Sequence, residues 1–228
     1  MSDRFTHVPQ DDLRGRPKLS DEQIDKLEAE NGLVQFDIMS RMIVEAVSGK
    51  PFKLTPDAIR ELQAAAVNGL EVGVGEFRTT PVKIDGTAHV PPDAARIPAL
   101  VDEMCAYVNE RLSPAQAVRL AAYTMWRLNW IHPFSNGNGR TSRAVSYLVM
   151  CVLLGARLPG KRTVPELIAE NKQPYYKALD AADLACKNGK VDVSVMEQIL
   201  TDALKLQITE AIASQAIMQA GGGGGGGV

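Results

Sequence analysis

The chain has 228 residues, 45% of them hydrophobic and 5% aromatic, so one domain, or at most two, can form around a sizeable core. A formal net charge of -2 excludes a global basic field for nucleic acid. The longest apolar run, residues 144–156, is too short to span a bilayer, and the N-terminus lacks the apolar core of a signal peptide. Cys105, Cys151 and Cys186 are far apart and form no CxxC pair, which favours reduced thiols. We therefore expect a cytoplasmic protein without a nucleic-acid or membrane partner.

The predicted secondary structure is almost entirely helical. Ser20 and Gln23 form a capping-box pattern that opens the first helix, and Gly32 is the type of residue at which such a helix ends. A Thr-Pro pair at 55–56 and a second capping box at 113–116 mark two later helix starts. Together with apolar residues at helical spacing, these signals predict helices over 21–30, 33–47, 56–70, 100–108, 114–131, 139–155, 165–170, 175–187 and 195–216.

One stretch predicts β-structure. Val82 and Ile84 precede an Asp-Gly pair at 85–86, and Ala88 and Val90 follow it. An Asp-Gly pair between two alternating runs is typical of a β-hairpin. The expected fold class is therefore all-α, with one β-hairpin.

The ends of the chain differ in composition from its centre. Residues 1–19 are rich in charge and carry two prolines, so we expect a loose N-terminal arm before a helical domain over residues 20–216. Residues 217–228 end in a glycine run, which holds no regular structure cheaply, and predict a flexible tail.

Residues 130–143, WIHPFSNGNGRTSR, interrupt two core helices with few packing atoms and many hydrogen-bond donors. Pro133 ends the first helix and biases His132 away from the α region. The glycines let the backbone approach a ligand, and the start of the next helix offers free N–H groups to an anion. Arg140 and Arg143 are three residues apart, so both project from one side, and guanidinium groups suit phosphate oxygens. A histidine beside a phosphate cradle indicates a general base for nucleotidyl or phosphoryl transfer to a hydroxyl.

The segment HPFSNGNGRTSR resembles the signature of the Fic family, HPFx[D/E]GNGRxxR, with one departure at Asn136. The segments GEFRTTPVKIDGTAHVPP, WRLNWIHPF and LPGKRTVPELIAENKQPYYKAL are similar to Fic-domain segments as well, so the resemblance covers residues 30–190. It implies a mostly helical fold and the transfer of AMP from ATP to a Ser, Thr or Tyr hydroxyl of a target protein.

The resemblance assigns roles within the signature loop, residues 132–143. His132 would take the proton from the target hydroxyl, and Phe134 would fix the loop in the core. Arg140 and Arg143 would bind the β- and γ-phosphates. The resemblance also implies an anion hole formed by three consecutive residues, Gly137, Asn138 and Gly139.

Further residues complete the implied nucleotide site. Members of the family usually hold Mg²⁺ with an acid at the position of Asn136, and an amide oxygen is a weaker ligand for this hard cation. Asn171 would bond the nucleoside, and Tyr175 would line the adenine pocket, with core packing as the alternative reading of this tyrosine.

The predicted hairpin resembles the family's flap, residues 78–91, which binds a target segment by adding a strand to an exposed edge. Val82, Ile84 and Thr87 would be the contact positions, and an ordinary structural hairpin is the alternative.

The first predicted helix, residues 20–32, resembles the inhibitory helix of many Fic proteins, [S/T]xxxE[G/N]. KLEAEN supplies Glu30 and Asn31, although Lys26 stands at the Ser/Thr position. The resemblance implies that Glu30 pairs with Arg143 and blocks productive ATP binding, or that it aligns water for removal of AMP. A solvated Glu at a helix end is the alternative.

Three functions remain open at this point. They are an autoinhibited protein adenylyltransferase, another nucleotidyl or phosphoryl transferase with the same site, and an ATP-binding regulator with little turnover. The chain itself is a candidate target, and a homo-oligomer is compatible with the sequence.

Overall fold

The computed structural model describes the backbone of residues 6–7 and the chain from residue 18 to residue 221. Most of the predicted N-terminal arm, residues 1–19, lies outside the described residues, and so do residues 222–228 of the predicted tail.

The described residues form eight α-helices joined by short connections. In chain order they are α1 Asp21–Val47, α2 Pro56–Val67, α3 Ile97–Asn109, α4 Ala117–Ile131, α5 Asn138–Leu154, α6 Val164–Glu170, α7 Lys172–Lys187 and α8 Ser194–Gly221. Two strands of two residues each, β1 Thr6–His7 and β2 Lys83–Ile84, pair antiparallel. The predicted all-α class is confirmed.

Helices α4 and α5 pack against each other at the centre of the core. Both are apolar on most of their circumference, as expected for helices that are covered on several sides. Helices α1 and α2 pack on α5, whereas α3 and α8 pack on α4. The signature loop joins α4 to α5, so the most buried pair of helices holds both of its ends. Between residues 18 and 221, none of the helices has the length and apolar character that crossing a membrane requires.

Helix α1 does not end at Gly32, as the sequence predicts, but continues to Val47. Its buried stripe has a spacing of four residues, begins at Asn31 and Gln35 on either side of Gly32, and continues through Met39 and Ile43. The Asn31 side chain donates to the Asn68 carbonyl, and the Gln35 side chain donates to the Leu62 carbonyl, both at 2.8 Å. These contacts hold α1 against α2 on both sides of Gly32, which outweighs the low helix propensity of glycine.

Other boundaries differ from the predictions as well, and α3 and α7 each start three residues earlier than predicted. Helix α2 ends at Val67 rather than at residue 70. Ser113 makes no side-chain cap, and residues 114–116 form a 3₁₀ turn before α4 starts at Ala117. Helix α8 continues past the predicted end at residue 216 to Gly221, so the first residues of the predicted tail are helical.

The predicted hairpin forms only in part. A turn occupies Asp85 and Gly86, but residues 88–90 form no strand. Instead, Ile84 and Lys83 of β2 pair with Thr6 and His7 of β1. The predicted pairing between the two arms is therefore wrong: the strand partner of β2 is a segment distant in the sequence.

Candidate active site

A cleft of about 400 Å³ lies above the junction of α4 and α5. Most of the residues predicted from the sequence line it, namely Ile84, Thr87, His132, Asn136, Gly137, Asn138, Gly139, Arg140, Arg143 and Tyr175. The cleft therefore brings together the signature loop, part of the flap and the start of α7.

His132 caps the C-terminus of α4 in the left-handed conformation, with φ at 50°. Among the described residues, it is the one non-glycine residue with positive φ. Pro133 disfavours the α region at this position, and the backbone N–H of His132 still donates to the Leu128 carbonyl at 3.0 Å. The helix end and the proline together fix the direction of the imidazole, although this conformation is strained for a residue with a Cβ.

The His132 ring is buried, with 6% of the residue exposed. Burial lowers the pKa of His132 to about 3, and the charges of Arg78 and His89 act in the same direction. The ring is therefore neutral at pH 7, which is the form that accepts a proton. Its Nδ1 lies 3.3 Å from the Asn129 carbonyl oxygen. Because a carbonyl only accepts, this contact assigns the ring proton to Nδ1 and the basic lone pair to Nε2.

Phe134 and Asn138 close the signature loop on itself. Phe134 is fully buried, as expected, and its ring packs on Phe77 with centroids 5.4 Å apart. The Asn138 side chain accepts from the Phe134 N–H at 3.0 Å and donates to the Phe134 carbonyl at 2.8 Å. Because the side chain of Asn138 is used in this way, its backbone N–H is what the residue offers to an anion at the start of α5.

Gly137 adopts a φ of 77°, and a Cβ added there would lie 2.6 Å from Cγ1 of Val67. Glycine is therefore required on two grounds, the left-handed backbone and the close approach to the end of α2. The contact brings the start of α5 against α2 and positions the N–H groups that open the helix.

The resemblance implies a Mg²⁺ ion held by the side chain at residue 136, but the contacts of Asn136 do not suit a cation. The Oδ1 of Asn136 accepts from the Gly137 N–H at 2.6 Å and lies 3.4 Å from Nη2 of Arg140. Both contacts point positive charge at this oxygen. In the part of the chain that the structure describes, no cluster of three His, Cys, Asp or Glu residues could hold a metal ion. The Asn136 oxygen is therefore used within the signature loop, and this side chain does not fit as a metal ligand.

Arg140 and Arg143 both line the cleft, and among the described residues only Arg140 meets an acid there. Nη1 of Arg140 donates to the Ala66 carbonyl at 2.9 Å and lies 3.3 Å from Oε1 of Glu28 on α1. Burial lowers the pKa of Arg140, and Glu28 opposes this effect. Arg143 folds back over the first turn of α5, where a Cβ on Gly139 would lie 3.4 Å from its Nη1.

The predicted pair between Glu30 and Arg143 is not formed in the described structure. The Glu30 side chain is 59% exposed and faces Lys26 at 3.9 Å on the surface of α1. Because α1 continues as a helix, residues 28 and 30 point in different directions, and the acid that faces the cleft is Glu28.

Tyr175 lines the cleft and also packs in the core, with 2% of the residue exposed. Its hydroxyl accepts from Nδ2 of Asn129 at 2.8 Å, which ties α7 to α4. Burial raises the pKa of Tyr175. Asn171 lies exposed between α6 and α7 and does not line the cleft. The next residue, Lys172, does line it. The predicted contact of Asn171 with a nucleoside therefore has no support in this cleft.

The flap contacts the site through Ile84 and Thr87, whereas Val82 is buried and does not line the cleft. The Thr87 hydroxyl donates to Oδ1 of Asp180 on α7 at 3.3 Å. Two of the three predicted contact positions are thus at the cleft, and one contributes to packing beneath it.

Two buried residues, Arg78 and Gln63, hold the signature loop through hydrogen bonds to its carbonyls. Neither was predicted from the sequence. Nε of Arg78 donates to the His132 carbonyl at 2.8 Å, and its Nη atoms donate to the carbonyls of Thr80 and Pro92. Gln63 donates to the Asn136 carbonyl at 3.1 Å. Gln63 follows Leu62 in an otherwise apolar part of α2, and this polar residue in a buried stripe was the available signal.

Known proteins resemble this chain in sequence. The Fic/DOC family profile matches residues 53–150. A "Protein adenylyltransferase Fic" of Culex quinquefasciatus is 29% identical over 160 residues, which cover 69% of this chain and 30% of that protein. The protein of the same name from Drosophila persimilis is 30% identical over 160 residues, with 69% and 29% covered. The chain spans less than a third of the length of these curated relatives.

Two solved structures share the fold. Fic-1 (aa134–508) from C. elegans has a TM-score of 0.67 and 18% identity, and the match covers 89% of this chain and 55% of that chain. A Fic domain containing signaling protein from Bacteroides thetaiotaomicron has a TM-score of 0.64 and 21% identity, with 88% and 78% covered. The fold is that of a helical protein with a cleft at the junction of its two central helices. By the profile match, residues 53–150 of this chain belong to the Fic/DOC family.

Proposed function

We propose that this chain transfers AMP from ATP to a side-chain hydroxyl of a target protein. The observation that carries the proposal is the position of a neutral, fixed imidazole beside a helix N-terminus and two guanidinium groups in one cleft. Such an arrangement can remove a proton and stabilise phosphate charge at the same place. The names of the curated relatives point to the same reaction.

In the proposed reaction, Nε2 of His132 accepts the proton of the target hydroxyl as its oxygen attacks the α-phosphorus. The bond between the α-phosphorus and the bridging oxygen to the β-phosphate breaks, and pyrophosphate leaves with the electron pair. The N–H groups at the start of α5 stabilise charge on the α-phosphate, while Arg140 and Arg143 hold the leaving group. Because Asn136 is a poor metal ligand here, Mg²⁺ would enter with the nucleotide, held by its phosphates.

The test is incubation of the purified chain with ATP labelled at the α- or the γ-phosphate, with candidate target proteins and with the chain alone. Retained α-label supports AMP transfer. Retained γ-label would instead support phosphoryl transfer, and binding without retained label would support a regulatory ATP-binding module. In His132→Ala, we expect α-label transfer to fall by about a thousandfold, since a positioned base contributes this order of magnitude. Transfer that persists at the wild-type rate in a folded His132→Ala protein would remove His132 from the mechanism.

Inhibition by α1 is part of the same proposal, with Glu28 in place of Glu30 as the acting residue. Glu28 lies 3.3 Å from Arg140, so its carboxylate competes with phosphate oxygens for that guanidinium. Its side chain is 47% exposed, which leaves it room to move when a nucleotide binds.

Glu28→Gly and Glu30→Gly form a matched pair on one helix and test this assignment. We expect Glu28→Gly to raise α-label transfer and tighten ATP binding severalfold, because a competing charge is removed from Arg140. Glu30→Gly changes the same chemistry on the solvent side and should leave both values near wild type. The reverse order of effects would restore Glu30 as the inhibitory residue.

The setting of the reaction completes the proposal. We place it in the cytoplasm, where ATP and target proteins with Ser, Thr or Tyr hydroxyls are available. Support comes from three unpaired cysteines, of which Cys105 and Cys151 are buried. The chain itself is a candidate target, and AMP transfer between two copies would be seen as α-label on the chain when no other protein is added.

A further inference from the structure

Asn129 lies in the last turn of α4, three residues before His132, and it lines the cleft. In a regular helix its carbonyl would accept from the backbone N–H four residues later, but that residue is Pro133, which has no N–H. The carbonyl oxygen of Asn129 instead lies 3.3 Å from Nδ1 of His132. The proline after α4 therefore leaves this carbonyl available to hold the imidazole.

The side-chain amide of Asn129 contacts oxygens on three helical segments. Its Nδ2 lies 2.7 Å from the Met125 carbonyl oxygen, 2.7 Å from Oγ of Ser142 on α5 and 2.8 Å from the hydroxyl of Tyr175 on α7. Because a carbonyl only accepts, the Met125 contact fixes the nitrogen end of the amide toward these oxygens. Asn129 thus joins the end of α4 to both α5 and α7.

Ser142 continues this connection to the start of α5. It is fully buried, and its hydroxyl donates to the Gly139 carbonyl at 3.0 Å, in the first turn of the helix. Gly139 lines the cleft beside the N–H groups that open α5. A continuous series of contacts therefore runs from the imidazole of His132, through Asn129 and Ser142, to the first turn of α5.

We infer that Asn129 is a positioning residue, which holds the base at a fixed place relative to the N–H groups of α5. This inference rests on the proposed function, in which His132 takes the proton and those N–H groups stabilise the α-phosphate. A misplacement of about 1 Å between reacting groups costs about a hundredfold in rate. The backbone of His132 is strained, with φ at 50°, so its ring depends on contacts outside the residue to keep its direction.

Asn129→Ala tests the inference, since it removes the side-chain contacts and keeps the backbone carbonyl. We expect kcat for α-label transfer to fall by about thirtyfold while the KM for ATP stays within about twofold of wild type, because the base and not the nucleotide loses its support. Long-range ¹H–¹⁵N NMR spectra without nucleotide should show the Nδ1–H tautomer of His132 in wild type and a mixture of both tautomers in the variant. A rise in KM with unchanged kcat would overturn the inference and make Asn129 a nucleotide contact.

Thr124→Val is the matched control on the same helix. The Thr124 hydroxyl donates to the Leu120 carbonyl at 2.7 Å, and the residue is buried but does not line the cleft. Its loss should lower the urea midpoint and leave kcat and the His132 tautomer as in wild type. If Thr124→Val lowered kcat as much as Asn129→Ala, the effect would be a general loosening of α4, and the inference would fall.

Ser142→Ala keeps the test available if Asn129→Ala does not fold. Removal of the Ser142 hydroxyl breaks the connection to Gly139, so this variant should reproduce most of the loss in kcat. Tyr175→Phe removes the contact with α7 but leaves the one with α5, and it should cost less. A larger loss in Tyr175→Phe than in Ser142→Ala would overturn the role of the connection through α5.

Failure of this inference can be told apart from failure of the proposed function. If wild type transfers no α-label, the proposed function fails, and the imidazole tautomers of wild type and Asn129→Ala still test the positioning. If wild type transfers label and Asn129→Ala matches it in both kcat and tautomer, only the positioning inference fails.

Discussion

The signature loop and the flap face each other across the cleft, and they are held in opposite ways. Residues 132–137 of the loop are all buried or half-buried, although they form no regular structure. Their carbonyls accept from buried side chains of other segments, such as Arg78 and Gln63. In the flap, Val82 and Ile84 are buried, residues 85–90 are half-buried or exposed, and regular pairing is limited to two residues.

This difference between the two regions suits two roles: the fixed loop suits the chemical step, and the flap suits recognition of a target. A transferred phosphate needs fixed donors, and the loop obtains them from side chains whose own positions are set by the core. A protein target needs a backbone edge that can accept different sequences. In this chain Lys83 and Ile84 of β2 pair with His7 and Thr6 of β1. The largest effects of substitution should therefore come from the loop and its supports, and the smallest from the flap.

Arg78 is the residue that joins the two regions, and its loss should have the largest effect. It is 6% exposed and donates to three carbonyls, one in the loop and two in or beside the flap. In Arg78→Met these acceptors stay buried without their donor, so we expect a loss of about 4 kcal/mol in the free energy of unfolding.

Activity should fall as well, by about a hundredfold in α-label transfer, because the His132 carbonyl is no longer held. Urea unfolding and label transfer measure the two effects. Arg78→Lys retains a charge but not the fork of donors, and should recover only part of either value. Full activity in folded Arg78→Met would show that the flap and the loop hold their positions independently.

Gly137→Ala tests the rigidity of the loop itself. The added Cβ would lie 2.6 Å from Cγ1 of Val67, and φ at 77° is unfavourable for alanine. We expect a loss of about 3 kcal/mol in the free energy of unfolding, from strain and overpacking together. Val67→Ala should restore part of the loss in the double variant, since it removes the clash but not the backbone strain. Additive losses in the double variant would show that the loop can shift away from α2.

Local sequence signals predicted much of this molecule. Ser20 caps α1 through its side chain, as the capping-box pattern indicates. The loop could be located because its residues are contiguous, so that spacing alone brings His132, Gly137 and Arg140 to one place. Alternation and burial agree at Val82 and Ile84 as well, even though the strand partner differs.

The remaining features depend on contacts between distant segments. The passage of α1 through Gly32 depends on bonds from Asn31 and Gln35 to α2, which no local pattern reports. Glu28, rather than Glu30, reaches the cleft, because residues two apart on a helix point in nearly opposite directions and the packing of α1 on α2 and α5 decides which face meets Arg140. The pairing of β2 with β1 likewise joins two segments that are distant in the sequence, since α1 and α2 lie between them in the chain.

His132 should make the stability of the fixed loop depend on pH. Its pKa in the folded protein is about 3, well below the value of about 6.5 in an unfolded chain. Below pH 6.5 the unfolded state therefore binds a proton that the folded state does not, and stability falls as the pH falls toward 3. Between pH 7 and pH 5 this effect contributes a loss of about 2 kcal/mol. Urea unfolding of wild type and His132→Gln at both values isolates it, and an equal loss in both proteins would show that His132 is hydrated.

Thr87→Ala should have the smallest effect on stability, since the hydrogen bond from Thr87 to Asp180 is exposed and spans 3.3 Å. We expect at most about 0.5 kcal/mol in the free energy of unfolding, within the range of an exposed hydrogen bond. The same bond links the flap to α7, so its loss should loosen the flap and raise the KM for a protein target by a few-fold while kcat stays near wild type. Thr87→Ser keeps the hydroxyl and should behave as wild type. A fall in kcat with unchanged KM would mean that Thr87 acts on the reacting groups, and the separation between a fixed loop and an adaptable flap would then no longer hold.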